Sequence, residues 1–150
     1  MNIGEVIQPG QVIVGLRVAD KAQLLQELAR RAAAVVALDQ RVILDALQAR
    51  ENLGSTGLGK GFALPHARLA ALPASFALFA RLARAIDFAS IDDRPVDLVI
   101  LLLTPAGAGN EHLATLAALS RPLRDEAFVR RVRQAPDATA LHGLLANGRV

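Results

Sequence analysis

The 150-residue chain has no Cys, no Trp and no Tyr, and a single Met. Without Cys there is neither a disulfide scaffold nor a thiolate for metal binding or nucleophilic attack. The first residues, Met1-Asn2-Ile3-Gly4-Glu5, show no basic segment followed by an apolar one, so no secretory signal is expected. The longest apolar runs, such as Leu98 to Leu103, fall far short of the ~20 residues that cross a bilayer. A cytoplasmic protein without direct membrane insertion is the expectation. There is no internal repeat and no low-complexity linker, and the length suits one domain over residues 1–150.

Disorder is excluded by a hydrophobic content of 53% and a mean hydropathy of +0.34. The formal charge is +3 and the isoelectric point about 10.5, a balance that suggests nucleic acid. The cations, however, are nearly all Arg and are dispersed among acids, and Trp and Tyr are missing. No nucleic-acid partner is expected. The densest cluster, Arg121 to Arg133, includes Asp125 and Glu126. It reads as the solvated face of late helices, with a docking face for an acidic protein or for nucleic acid as the alternative.

Apolar periodicity sets out the elements. Val12 to Leu16 form a short strand. Asp20 with Gln23 makes a capping box, followed by Leu24, Leu25, Leu28, Ala32, Val35 and Val36 at helical spacing. Asp39 opens a second helix burying Val42, Ile43, Ala46 and Leu47. The glycine-rich stretch from Gly54 is a loop. Gly61 to about Arg68 is extended, and Pro65 makes it an edge strand or a strand end. Ser75 to Leu82 and Val96 to Leu103 are strands, the latter covered on both faces. After a loop at residues 104–109, Asn110 caps a helix carrying Leu113, Leu116, Ala117, Ser120 and Leu123. Asp125 and Asp137 cap two more. The expected fold is an α/β single-domain sandwich, a mixed parallel and antiparallel sheet of about five strands flanked by helices.

The chemistry concentrates in G-S-T-G-L-G-K-G-F-A-L-P-H-A-R, Gly54 to Arg68. Gly54 to Lys60 satisfies G-x-x-x-x-G-K, but Gly61 stands where a P-loop needs Ser or Thr. The loop also follows a helix and opens an extended segment, the reverse of a P-loop. His66 is the sharper feature. Neutral imidazole keeps one lone pair free at cytoplasmic pH and can accept a phosphoryl group. Ser55, Thr56, backbone N–H groups and Arg50 or Arg68 are candidate donors to the phosphoryl oxygens. From spacing alone, a single His at a strand end is more often structural. His112 falls in a first helical turn, where the helix dipole disfavours imidazolium, and it is the candidate assisting residue. His142, on the last helix, has no chemical company and reads as a surface residue. A metal site at His66 and His112 with Asp92, Asp93 or Asp97 lacks any H-x-x-x-H or H-E-x-x-H spacing, and Ser–His–Asp hydrolysis lacks a G-x-S-x-G elbow. No metal and no cofactor are expected.

The run A-R-E-N-L-G-S-T-G-L-G-K-G-F-A-L-P-H-A-R, Ala49 to Arg68, resembles the fructose/mannitol-type IIA domains of the bacterial phosphoenolpyruvate-dependent phosphotransferase system. It looks most like their nitrogen-regulatory branch. Ile86 to Pro105 and Asn110 to Arg121 continue the resemblance over nearly the whole chain. The resemblance implies His66 as phosphoacceptor, His112 as assistant, and Arg50, Ser55 and Thr56 lining the pocket. It implies an HPr-like phosphocarrier as donor. Downstream it implies either a regulated transporter, kinase or metabolic enzyme, or a IIB domain in the sugar branch. A non-catalytic binding module of the same fold is a further alternative. No IIB or IIC segment is recognisable, which favours the regulatory form. Two positions depart from the family pattern: Ala67, where Gly or Cys is common, and Lys60, where Asn is frequent and where a cation is expected close to the incoming group.

Overall fold

The computed structural model describes residues 3–107 and 109–147, apart from the side chain of Glu5. In chain order the described elements are α1 (Ile3–Val6), β1 (Val12–Leu16), α2 (Lys21–Val36), α3 (Gln40–Asn52), β2 (Gly57–Gly59), β3 (Phe62–Ala63), β4 (His66–Leu69), β5 (Phe76–Ile86), β6 (Val96–Pro105), α4 (Asn110–Ser120), α5 (Glu126–Gln134) and α6 (Ala138–Asn147). None of the described helices is long and apolar enough to cross a membrane.

The six strands form one mixed sheet in the order β1-β5-β6-β3-β2, with β4 also on β6. β5 and β6 run antiparallel, whereas β1 lies parallel to β5, and β3 and β4 lie parallel to β6. The count exceeds the expected five because the Gly61–Arg68 segment splits and residues 57–59 pair with β3. The split occurs at Pro65, which has no N–H to give. The register nonetheless runs straight through it, Phe62 opposite Leu98 and His66 opposite Leu102. The Pro65 carbonyl still accepts from Leu102 N–H at 3.0 Å.

β6 is covered on both sides, as its apolar run from Leu98 to Leu103 requires. Val99, Leu101 and Leu103 face one core with α2 and α3, and Leu98, Ile100 and Leu102 face another with α5 and α6. Asp20, Asp39 and Asp125 cap α2, α3 and α5, and Asp137 accepts from Ala140 N–H at the start of α6.

Helix faces were legible to about one residue. Val35 and Val42 point outward at 58% and 53% exposure, and Leu44 takes the core place expected for Val42. α4 departs more. Its buried residues are His112, Thr115 and Leu119, while Leu113 is 61% exposed. Its N-cap is Gly109, without a side-chain cap bond, so Asn110 is the first helical residue. Within the expected 104–109 loop, Thr104 and Pro105 prolong β6, and Ala108 lies outside the described residues.

The glycine loop packs against residues 88–92. A Cβ on Gly57 would overlap Ser90 Oγ and lie 2.9 Å from Ser90 Cβ, and Ser90 Oγ is buried without a hydrogen-bond partner among the described residues. Gly57→Ala is expected to destabilise the fold by about 1–3 kcal/mol through this overlap. Adding Ser90→Gly should recover part of the loss in urea titrations. A double variant no more stable than Gly57→Ala would refute the contact as the cause.

Candidate functional site

His66 opens β4, immediately after the Pro65 break. The period-two alternation of the strand sends Ala67 and Leu69 into the core beneath α2 and α3. His66 and Arg68 therefore take the opposite face. His66 Nδ1 lies 2.8 Å from Leu64 O. A carbonyl can only accept, so Nδ1 carries the proton and the lone pair sits on Nε2. Arg50, at the end of α3, donates from Nε to that Nε2 at 3.3 Å and from Nη1 to Gly54 O at 2.9 Å.

The rotation of α4 turns His112 inward, and its ring centroid lies 5.4 Å from that of His66. Thr104 Oγ1, at the end of β6, is 2.6 Å from His112 Nδ1. Both members of this pair are buried, at 5% exposure for His112 and 1% for Thr104. Thr104 thus orients the second ring, a role that no local sequence pattern signals.

Both histidines are held below the usual imidazole range. Burial is the leading cause at each. The hydrogen bond to Leu64 O opposes it at His66, while the Arg50 and Arg68 charges reinforce it; Arg68 and His66 reinforce it at His112. The two rings are therefore neutral at pH 7. The sign of the pH dependence follows. An unfolded chain protonates its histidines near pH 6.5 and the native chain only lower, so the unfolded state binds more protons and stability falls as pH drops below about 6.5. Urea midpoints should decline between pH 7 and 5.5, and decline less in the His66→Ala/His112→Ala variant. An identical decline in both proteins would contradict this assignment.

Of the six residues expected at the site, the structure gathers His66, His112, Arg50 and Arg68 around one spot. Arg68 is exposed, makes no salt bridge among the described residues, and acts electrostatically on both rings. The two hydroxyls differ from the expectation. Ser55 Oγ donates to Phe88 O at 2.8 Å. Thr56, 2% exposed, gives its hydroxyl proton to Glu51 Oε2 and its N–H to Glu51 Oε1. Each hydroxyl has one proton and has spent it on the fold, so neither is poised to donate to a phosphoryl group.

The acceptor for Thr56 is a feature that sequence reasoning missed. Glu51 follows Arg50 in α3, and its side chain is 5% exposed. It also pairs with Lys21 at 2.9 Å. The Lys21 ammonium sits 4.4 Å above the Phe88 ring and lies 3.4 Å from Phe88 O. The signal available in the sequence was the R-E dipeptide itself, two opposite charges side by side at a helix end.

Two other expectations change, those for Lys60 and His142. Lys60 lies at the β2–β3 turn, and its carbonyl accepts from Arg133, which also pairs with Asp97. That is the opposite end of β6 from His66, so Lys60 brings no charge to the site. Its φ of +57° explains the preference for Asn, which tolerates the left-handed region. Asp92 and Asp97 serve structure: Asp92 accepts from Lys60 and Arg94 N–H, and Asp97 holds Arg133. No group of three potential metal ligands occurs among the described residues. His142 is half-buried, with Nε2 3.0 Å from Ile7 O, and ties α6 to the end of α1.

Residues 5–148 match the model of the phosphoenolpyruvate-dependent sugar phosphotransferase system EIIA 2 family. A nitrogen regulatory protein of Bradyrhizobium diazoefficiens is 45% identical over 146 residues, 97% of this chain and 95% of that one. A fructose-specific EIIA component of Haloferax volcanii is 39% identical over 108 residues, 72% of this chain and 70% of that one. Among solved structures, the nitrogen regulatory protein IIA-Ntr of Neisseria meningitidis superposes with a TM-score of 0.90 at 30% identity, covering 95% of this chain and 98% of that one. Matched by the family model over residues 5–148, and by a relative 45% identical along nearly its whole length, the chain belongs to the phosphotransferase-system EIIA 2 family.

Proposed function

We propose that this protein is a phosphocarrier that accepts a phosphoryl group on His66 Nε2 from the phosphohistidine of an HPr-like carrier, and that its phosphorylation state regulates nitrogen- or potassium-linked partners. The observation that carries the reading is the neutral His66 ring, its Nδ1 proton fixed on Leu64 O and its Nε2 lone pair open toward Arg50. In the transfer a P–N bond forms at Nε2 while the donor's P–N bond breaks, and the electron pair returns to the donor imidazole. No proton need move. The Leu64 carbonyl stabilises the positive charge that develops on the ring, and Arg50 Nε–H shifts from Nε2 to a phosphoryl oxygen. With the Thr104 hydroxyl donating to His112 Nδ1, the Nε2 proton of His112 is free to bond a second oxygen. Arg68 supplies further positive charge.

Leu53 and Leu113, 84% and 61% exposed, adjoin the site through their neighbours Gly54 and His112. Exposed large apolar side chains beside a transfer centre suit docking of a carrier protein. The test is incubation with a phosphorylated HPr-like carrier: one acid-labile, base-stable phosphate should appear per chain. No transfer from any such carrier would leave only a binding module of this fold. The fructose-specific relative favours a second reading, a sugar-branch subunit. Onward transfer to a IIB domain at a rate matching that from the carrier would select it.

A further inference from the structure

A second basic concavity lies away from His66. It has a volume of about 450 Å³ and sits between the β2–β3 turn, the start of β6 and α5. The apolar side chains of Phe62, Leu98, Leu123 and Val129 line it, and Lys60, Arg94, Arg124 and Arg130 rim it. Among the described residues these four cations make no salt bridge, whereas Arg133 beside them is paired with Asp97. The lining contains one acid, Glu126. Asp92 lies near and its charge acts on Arg94, but its carboxylate bonds the backbone N–H groups of Lys60 and Arg94 and not a cationic side chain of the rim. Phe62 is opposite Leu98 and His66 opposite Leu102, four residues along β6. That spacing sets the two sites about 13 Å apart along the sheet.

Four unpaired cations from three separate segments repel one another, and the fold gains nothing visible from bringing them together. Guanidinium groups match phosphate oxygens in pairs, and a concavity of this size with an apolar floor suits a small molecule. We propose that this groove binds a small organic phosphate, its apolar or aromatic body on Phe62 and Val129 and its phosphate oxygens on Arg94, Arg124 and Arg130. The proposal does not depend on phosphoryl transfer at His66. It assigns to the cluster between residues 121 and 133 a role beyond a solvated helix face.

The test is an amide-resonance titration of the full chain at physiological salt, with magnesium-free ATP as probe. Pyrophosphate, adenosine, citrate and an acidic peptide serve as separate arms. Saturable shifts are expected at Lys60 and residues 123–133, with residues 66–69 unmoved. ATP should bind more tightly than pyrophosphate, which lacks the body, and than adenosine, which lacks the charge. Arg124→Ala and Arg130→Ala, both at exposed positions, should each weaken binding about tenfold or more. The proposal fails if shifts do not saturate, centre on His66, or are matched by citrate. Unchanged affinity in both variants, or tighter binding of an acidic peptide than of ATP, would overturn it as well. Acid-labile labelling of His66 in the same variants is a separate readout, so loss of one result does not entail loss of the other.

Discussion

His66→Ala is expected to eliminate acid-labile labelling by a phosphorylated carrier, the largest effect of any single change in this protein. The reason lies in the distribution of nucleophiles. His66 carries its lone pair on Nε2 because Nδ1 holds the proton against Leu64 O, and the long 3.3 Å bond from Arg50 is readily exchanged for one to a phosphoryl oxygen. His112 has its Nδ1 engaged by Thr104 and is 5% exposed, so it cannot take over. His112→Ala should instead slow labelling by about a hundredfold, the scale for loss of one donor to a developing charge. It should also cost about 1–3 kcal/mol of stability, because Thr104 Oγ1 is left buried without a partner. Rates are therefore best compared at a temperature where both proteins are fully folded. Full labelling of His66→Ala would falsify the transfer centre outright. Unchanged kinetics in His112→Ala would reduce the second ring to a packing residue.

Glu51→Ala is expected to be the most destabilising substitution outside the apolar core, by about 3–5 kcal/mol. It strands the Thr56 N–H and hydroxyl and leaves the Lys21 ammonium only Phe88, where all three now converge on one carboxylate that is almost wholly buried. The charge pair itself is not the whole of the effect, since removing one member of a buried pair mostly measures the cost of leaving the other alone. Glu51→Gln/Lys21→Met should therefore be markedly more stable than Glu51→Ala, and urea titrations of the parent, Glu51→Gln, Lys21→Met and the double variant measure the coupling. A Glu51→Ala protein within 1 kcal/mol of the parent, on the order of an exposed salt bridge, would show that water reaches the carboxylate. Because Glu51 adjoins Arg50 and grips the 55–57 loop, the same variant should label more slowly even where it remains folded.

How far the site was legible in the sequence depends on what each residue's role requires. His66 stood out because the L-P-H run and the glycine loop lie together in the chain and resemble a known motif, whereas the Leu64 O that accepts from its Nδ1 is visible only in the structure. Arg50 could be found because the helix ends just before the loop. The hydroxyls of Ser55 and Thr56 misled, since type and nearness suggested phosphate donors. Their actual acceptors are Phe88 O, 33 residues away, and a Glu51 carboxylate whose burial no local pattern reveals. The inward turn of His112 was hidden as well. α4 offers apolar residues on more than one face, and only its docking on β6 chooses between Leu113 and His112.

The sequence alone determined the alternation of strands and helices, the doubly covered central strand and the Asp caps of α2, α3 and α5, and it singled out His66 as the candidate phosphoacceptor. These are set by short-range chemistry: side-chain period, the missing N–H of proline, and the side chains that hydrogen-bond their own backbone. The tertiary structure decided the rest. It set which helix face meets the sheet, which ring stands beside His66, where Lys60 lies, and which hydroxyls have a proton left to give. Those outcomes turn on burial and on partners distant along the chain, where a polar group is claimed by whichever neighbour the packed interior leaves it.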